Sequence, residues 1–281
     1  MTTVTAAKVI LDSVSPVGAR ITTLQLVYPR FIHAEAKTHR ILNIGDNSYD
    51  LLQETGFMDC DELSRNASSS RAIPVAKIIE QVRNDPAMPC HWGKNQPGMQ
   101  AWEELTGEAL QMTQGYWRAA AHAAADTAKM MNFYGAHKQV ANRILEPFQW
   151  MHVIVTATEW TNFFKLRLHP DADPNIYALA YAMKEAMLWS VPEERDFHAP
   201  YVSQVRQDFT ESEAMVSAAR CARVSYLNHD GSKPDWDKDT ALALALKSSG
   251  HASPFEHVAV AFEGDHANFK GWRSFRSGLG I

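Results

Sequence analysis

The hydrophobic pattern of the chain changes its period twice. Residues 4–14 and 20–28 place apolar side chains in near-alternation with polar ones, as half-buried strands do. The middle of the chain is rich in helix formers, and alternation returns at residues 257–262. We therefore predict an α+β fold with a small, mostly antiparallel sheet packed against a helical bundle. No linker divides the sequence, so we expect a single domain over residues 1–281.

Caps mark several of the predicted helices. Asp173 precedes a proline at a first helical position, Thr210 and Glu213 form a capping box, and Gly250 follows a helical stretch. An alanine-rich second half in the longest helix indicates close packing against a neighbour. The predicted helices cover these stretches: 30–40, 99–131, 137–147, 158–169, 174–189, a helix from 210 to 221, and 237–249.

The charge balance limits the partners. With 32 acidic and 27 basic residues, the net charge of -5 provides no global positive field for a nucleic acid backbone. A nucleic-acid-binding module is therefore the least attractive hypothesis, and an anionic ligand must be bound by local groups. Three widely spaced cysteines argue against a disulfide framework, and residues 1–11 show no secretory or membrane pattern. We expect a cytoplasmic protein without membrane association.

The densest group of polar side chains lies at residues 64–71, which read Ser-Arg-Asn-Ala-Ser-Ser-Ser-Arg. Guanidinium groups offer bidentate charged donors, and small residues let backbone N–H groups turn toward an anion. The segment suits a phosphate group. A solvated serine-rich loop is the alternative that composition leaves open.

A second polar segment, residues 250–257, reads Gly-His-Ala-Ser-Pro-Phe-Glu-His and joins a helix to a strand. His251 and Glu256 are suited to exchange hydrogen bonds with a heterocycle or a ribose. A structural role is the alternative. Two histidines six residues apart without a third ligand make a poor zinc site, so we expect no metal.

Two arginines lie on helices with apolar neighbours. Arg143 and Arg167 are either ligand-binding residues or ordinary surface arginines whose stems cover apolar atoms. Trp160, Phe163 and Phe164, which surround the second of them, fit a core better than a platform for base stacking.

Five motifs together resemble the flavin-dependent thymidylate synthases. The family's arginine-serine signature matches at its front in His39-Arg40 and at its back in Ser64, Asn66, Ser69 and Arg71, with residues 41–63 as an insertion. The other four matches are the turn at 250–257, Ala-Arg-Val-Ser-Tyr at 222–226, and the stretches 142–147 and 162–167. Residues 222–257 normally precede the signature, so the resemblance implies a circularly permuted fold of this family, which nearby termini tolerate.

The resemblance implies a role for each matching position. The residues expected to contact FAD are His39, Arg40, Asn66, Asn162, Ser225, His251, Ser253 and Glu256. Those expected to hold a pyrimidine nucleoside monophosphate are Glu35, Ser69, Arg71, Arg143 and Arg167. Within this set, Arg71 and Arg143 would fix the phosphate, and Arg167, the catalytic residue, would polarise the pyrimidine.

The implied reaction moves a one-carbon unit from methylenetetrahydrofolate to C5 of dUMP, giving dTMP. Reduced flavin supplies the hydride and NADPH reduces the flavin, so no nucleophilic side chain is required. Family members are homotetramers with sites shared between subunits, and a homotetramer is therefore expected.

Departures from the family pattern keep alternatives open. The signature's first arginine is Thr38 and its glutamate is Ala67, which would fit a non-catalytic nucleotide-binding protein. Glu35 and Asp173 stand where amides are expected, and a carboxylate accepts from the cytosine amino group, so dCMP methylation or hydroxymethylation is a second alternative. Arg273 or Arg276 are candidates to replace the missing charge. Residues 41–63 fit an acidic lid or a passive surface loop equally.

Overall fold

The computed structural model describes residues 2–33, 63–67, 73–202, 210–224, 232–266 and 269–279, with the backbone alone for 63–67. Its larger sheet has five strands in the order β3-β4-β2-β1-β5. All neighbours are antiparallel except β1 and β5. The strands are β1 Ala6–Val14, β2 Arg20–Pro29, β3 Leu63–Ala67, β4 Trp150–Ala157 and β5 Glu193–Glu194.

A smaller antiparallel sheet contains β6 Phe197–His198, β7 Ala259–His266 and β8 Phe269–Ser274, in that order. The described residues also form helices α1 Val75–Asn84, α2 Gly107–Phe133, α3 Lys138–Ala141, α4 Thr161–Arg167, α5 Pro174–Leu188, α6 Glu211–Arg223 and α7 Trp236–Ser248. Small antiparallel sheets packed against helices confirm the predicted α+β class. The predicted insertion at 41–63 lies outside the described residues, apart from Leu63.

The two faces of the larger sheet carry different cores because successive side chains of a strand point in opposite directions. On one face, Val153 and Val155 of β4 pack with Leu24 of β2 against α4 and α5. On the other face, Ile154 packs against the end of α6, and Thr156 meets a histidine near β7. Strand β4 therefore contributes side chains to two separate cores, one on each face of the sheet.

Helix α2 packs through a narrow stripe of small residues. Ala121, Ala125 and Ala128 are fully buried at a spacing that places them on one helix face. They contact Ile78 and Val82 of α1. This confirms the close packing predicted from the alanine-rich sequence.

The local caps are also confirmed. The Asp173 side chain accepts from the backbone N–H groups of Asn175 and Ile176 at the start of α5. Thr210 and Glu213 form the complete capping box of α6. Gly250 ends α7 with a φ of 75°, a conformation that glycine adopts without steric cost.

Several boundaries predicted from the sequence were wrong. Helix α2 begins at Gly107, because residues 91–105 form an irregular loop closed by a bridge between Gly93 and Glu104. The single helix predicted over 137–147 is the short α3 followed by a 3-10 turn that contains Pro147, which cannot supply a helical N–H. The predicted strand at 257–262 begins later, at Ala259.

The helix predicted over 30–40 is, in its described part, one 3-10 turn at Arg30–Ile32. Strand β3 replaces part of the loop predicted at 64–71. Within the residues that the structure describes, no helix is long and apolar enough to cross a membrane.

Candidate functional site

The turn at residues 250–257 begins with a well-defined helix ending. The Gly250 N–H bonds to the Lys247 carbonyl at 3.2 Å, and the His251 N–H bonds to the Leu246 carbonyl at 2.9 Å. This pair of bonds is the Schellman motif, which satisfies the last helical carbonyls and turns the chain sharply. The His251 ring is exposed, and its Nδ1 lies 2.9 Å from the Ser249 hydroxyl.

A 3-10 turn at Ser253–His257 follows and separates buried from accessible side chains. Phe255 is fully buried among residues of α6 and α7. Side chains three residues apart eclipse in a 3-10 helix, so Ser253 and Glu256 share one face. The Ser253 side chain is exposed and Glu256 is part-buried. The turn thus presents a hydroxyl and a carboxylate on one face, beside an accessible imidazole.

A chain of buried hydrogen bonds ties this turn to the sheet. His257 Nδ1 lies 2.9 Å from the Thr156 hydroxyl, which lies 2.7 Å from the Thr23 hydroxyl. His198 continues the chain, with Nε2 at 2.7 Å from Thr23 and Nδ1 at 2.9 Å from the Ser13 hydroxyl. All five side chains are fully buried. Each member lacks access to water, so each needs the next as its partner.

Burial keeps the second histidine neutral. Desolvation lowers the pKa of His198 to about 3. A neutral imidazole has one donor and one acceptor nitrogen, which matches its two hydroxyl neighbours. His198 is therefore neutral near neutral pH and acts as a structural support.

Strand β3 brings the start of the arginine-serine segment to the same place. Ser64 is the register partner of Thr156, and Asn66 is the partner of Ile154. The backbone of β3 also lies against the Ser253–His257 turn. The two segments that the sequence separates by about 180 residues are thus neighbours in the fold.

The 222–226 motif reaches the same face of the sheet. Its Val224 is buried against Ile154, the register partner of Asn66. Val224 has a φ of 55°, a left-handed conformation that is strained for a β-branched residue. Strain of this kind is concentrated at functional sites. Ser225, which follows directly, lies outside the described residues.

The first described residue after the arginine-serine segment, Ile73, contacts the neighbour of Arg143. Asn142 Nδ2 donates to the carbonyl of Ile73 at 3.0 Å, two residues beyond Arg71. Arg143 Nη1 lies 3.1 Å from Glu146, which also pairs with Arg30 at 2.8 Å. The Arg143 side chain is 56% exposed and remains accessible to a ligand. The described residues on either side of 68–72 therefore lie beside the histidine turn, through β3, and beside Asn142, through Ile73.

Within one chain, Asn162 and Arg167 do not lie beside the Ser253–His257 turn. Both lie on α4, which covers the opposite face of the larger sheet through Phe163. Trp160 is buried in the same core, and Phe164 packs against it, as predicted. Arg167 is only 7% exposed. The surface-arginine interpretation therefore does not fit Arg167.

The other predicted site residues fall outside the described part of the chain: Glu35, His39, Arg40, Ser69, Arg71 and Ser225. For Asn66, the structure describes the backbone alone. Within the described residues, no group of three metal-ligating side chains is present. Cys221 is fully buried, and burial raises the pKa of its thiol, which disfavours a nucleophilic thiolate.

The sequence interpretation missed the buried polar chain. Ser13, Thr23, Thr156 and His198 come from four different strands, and only their folded positions join them. The one available signal was the paired polar residues Thr22-Thr23 inside an apolar strand pattern. A strand that buries two adjacent threonines requires partners for them.

No family model matches the chain, and no curated protein matches it. Among solved structures, the chain is similar to the UMP/dUMP methylase PolB from Streptomyces cacaoi bound with 5-Br UMP. That match has a TM-score of 0.45 and 13% identity and covers 68% of this chain and 91% of the other. The same methylase bound with 5-Br dUMP matches with a TM-score of 0.42 and 15% identity over 60% and 66%. At such low scores, the likeness identifies neither a reaction nor a ligand of this chain.

The polar chain generates a stability prediction. Thr156→Val keeps the shape of the side chain but removes the hydroxyl that contacts both Thr23 and His257, so two buried hydrogen bonds are lost. We expect a loss of about 1–3 kcal/mol in the free energy of unfolding, measured by urea denaturation. Thr127→Val, at an exposed site on α2, is the control and should cost less than about 0.5 kcal/mol. Equal stabilities of the two variants would show that the buried hydrogen bonds of Thr156 do not support the turn.

Proposed function

We propose that this protein is a flavin-dependent methylase of a pyrimidine nucleoside monophosphate and a circularly permuted member of the flavin-dependent thymidylate synthases. The observation that supports it is the meeting of three motif segments on one face of the larger sheet. Strand β3, the end of α6 and the Ser253–His257 turn come together around Ile154 and Thr156. A chance resemblance of separate motifs would not require this proximity.

The groups on the turn fit the polar edge of a flavin. That edge carries both N–H donors and carbonyl acceptors. Ser253 supplies a hydroxyl, Glu256 a carboxylate and His251 an exposed imidazole on one short turn. When bound, FAD supplies the hydride for the one-carbon transfer, while the protein provides position and charge. Methylenetetrahydrofolate and NADPH are the proposed co-substrates.

The arginines suit a nucleotide phosphate. Arg143 is accessible, and Arg71 lies two residues before Ile73, which the neighbouring Asn142 holds. Two guanidinium groups near one anion give bidentate, charge-assisted hydrogen bonds and fix its orientation. We assign the phosphate of the substrate to this end of the site, with Ser69 as a further contact, and we assign Glu35 to the base.

The position of α4 favours a site completed by a second copy of the chain. Asn162 and Arg167 lie on the face of the sheet opposite Glu256, and β3 is an edge strand among the described residues. Helix α2 also leaves several large apolar side chains exposed, including Tyr116 and Phe133. Exposed apolar surface of this kind marks protein interfaces. We propose that Arg167 acts in the site of a neighbouring subunit within a homotetramer.

Flavin binding is the first prediction of this function. Purified protein mixed with FAD should show the flavin absorbance in the protein fraction after gel filtration. Dithionite should bleach that absorbance, and NADPH should do so more slowly. Protein that remains colourless and leaves the spectrum of added FAD unchanged would contradict the proposal.

The substrate is decided by turnover. We expect the protein with FAD, NADPH and methylenetetrahydrofolate to methylate dUMP at C5, detected by mass spectrometry of the nucleotide product. Parallel reactions with UMP and dCMP test the sugar and the base. Exclusive use of dCMP would favour the role of Glu35 and Asp173 as acceptors for a cytosine amino group. A hydroxymethyl product would favour the hydroxymethylation alternative. Nucleotide binding without NADPH oxidation or folate consumption would favour a non-catalytic protein.

The shared site is tested by mixing two defective variants. Glu256→Gln and Arg167→Ala should each abolish most of the activity. When the two are unfolded together and refolded, a site built from two chains combines both native residues in about a quarter of random pairings. We therefore expect partial recovery of activity in the mixture. No recovery, with light scattering showing a normal oligomer, would place both residues in the site of one chain.

A further inference from the structure

The C-terminal part of the described chain contacts the histidine turn through an ion pair. Arg276 Nη1 contacts the Glu256 carboxylate. The Glu256 side chain is 15% exposed, whereas the Arg276 side chain is 45% exposed. Arg276 comes from the 3-10 turn Phe275–Gly278, directly after β8. The carboxylate is thus covered while its partner faces the solvent.

The backbone around Arg276 is held in place by the turn itself. The Phe275 N–H donates to the Val258 carbonyl at 2.7 Å. The Ser274 hydroxyl donates to the Phe255 carbonyl at 3.4 Å, and the rings of Phe255 and Phe275 have centroids 6.3 Å apart. Because these contacts hold the two residues before Arg276 against the residues on both sides of Glu256, the fold sets the backbone position of Arg276.

The chemistry of an arginine leaves most of its donors available here. A guanidinium group has five N–H donors in a planar fork, and the contact with Glu256 uses one nitrogen. A bare carboxylate at the turn would repel a phosphate group, whereas a carboxylate paired with arginine is neutralised. The pair can therefore accept from a heterocycle through Glu256 and donate to an anion through Arg276.

The second candidate arginine is placed differently. The Arg273 guanidinium lies over the ring of Phe262, 5.6 Å from its centroid. That position is on the smaller sheet, where Arg273 belongs to β8 and its register partner is Val260 of β7. The structure therefore distinguishes two arginines that composition alone leaves equivalent.

We infer that Arg276 is a binding residue of the proposed site, where it holds Glu256 with one nitrogen and donates to a phosphate or diphosphate group with the others. This inference rests on the proposed function, because it names the residue that meets the anionic part of the nucleotide cofactor at the turn. In this role Arg276 supplies the positive charge that is missing at Thr38, where the family signature has an arginine.

The test compares FAD with riboflavin, which has the same isoalloxazine ring and ribityl chain but lacks the diphosphate and the adenosine. FAD carries a diphosphate and riboflavin carries none. Arg276→Gln should weaken FAD binding about 10- to 100-fold, the scale of a charged hydrogen bond. Its effect on riboflavin should be at least about tenfold smaller, because only the anion contact is lost in full. Flavin fluorescence quenching measures both dissociation constants.

Arg273→Gln is the matched control, since it removes the same charge three residues away. It should change FAD affinity less than about threefold, as an exposed charge at a distance does. Arg276→Lys should keep part of the FAD affinity, because lysine retains the charge but not the planar fork. Thermal unfolding of each variant shows whether the turn has kept its structure.

The outcomes separate the inference from the proposed function. Wild-type protein that binds neither flavin overturns the proposed function and the inference with it. Wild-type protein that binds FAD, with Arg276→Gln unchanged, overturns the inference alone. An equal loss for FAD and riboflavin also overturns it, because that result assigns Arg276 a purely structural role at Glu256.

Discussion

The hydrogen bond between Thr156 and His257 joins the central sheet to the turn on which the proposed site depends. Both side chains are fully buried and 2.9 Å separates their polar atoms. Breaking a hydrogen bond between buried polar groups is costly because water cannot replace it, so the bond fixes the turn against β4. The continuation through Thr23 and His198 extends this constraint to β1. The buried hydrogen bonds thereby fix the orientation of the turn and of its accessible side chains.

The same constraint explains why distant motifs meet. Strand β3 pairs with β4 beside Thr156, and Val224 closes α6 against Ile154 on the same face. A circular permutation leaves such contacts unchanged, because they depend on the positions of the elements and not on the order in which the chain visits them. Among the described residues, β3 is an edge strand of the larger sheet. Together with the division of the proposed residues between two sheet faces, this position motivates the proposed assembly.

Sequence predicted those features that local chemistry decides. The caps at Asp173, Thr210 and Gly250 follow from neighbouring residues alone, and each is present in the structure. Strand β4 was missed because both of its faces are covered, so it shows a nearly continuous apolar run without alternation. Helix α1 was missed although its buried residues Val75, Ile78 and Val82 follow a helical spacing.

The site was predicted less completely than the fold for a physical reason. Motif resemblance selects residue types, whereas the support of a site comes from pairs that lie far apart in sequence. The partners Thr156 and His257 are separated by 101 residues, and Glu256 and Arg276 by 20. No local pattern encodes either pair. The sequence left Arg273 and Arg276 equivalent, and only packing distinguishes them.

Hydrogen–deuterium exchange with and without FAD tests most directly whether the segments share one cavity. Peptides that cover residues 63–71 and residues 250–257 are followed in the same experiment, with peptides from the middle of α2 as the reference. Joint protection of both segments on addition of FAD is the predicted result. Protection of one segment alone, with the other exchanging as in the free protein, would contradict a common site.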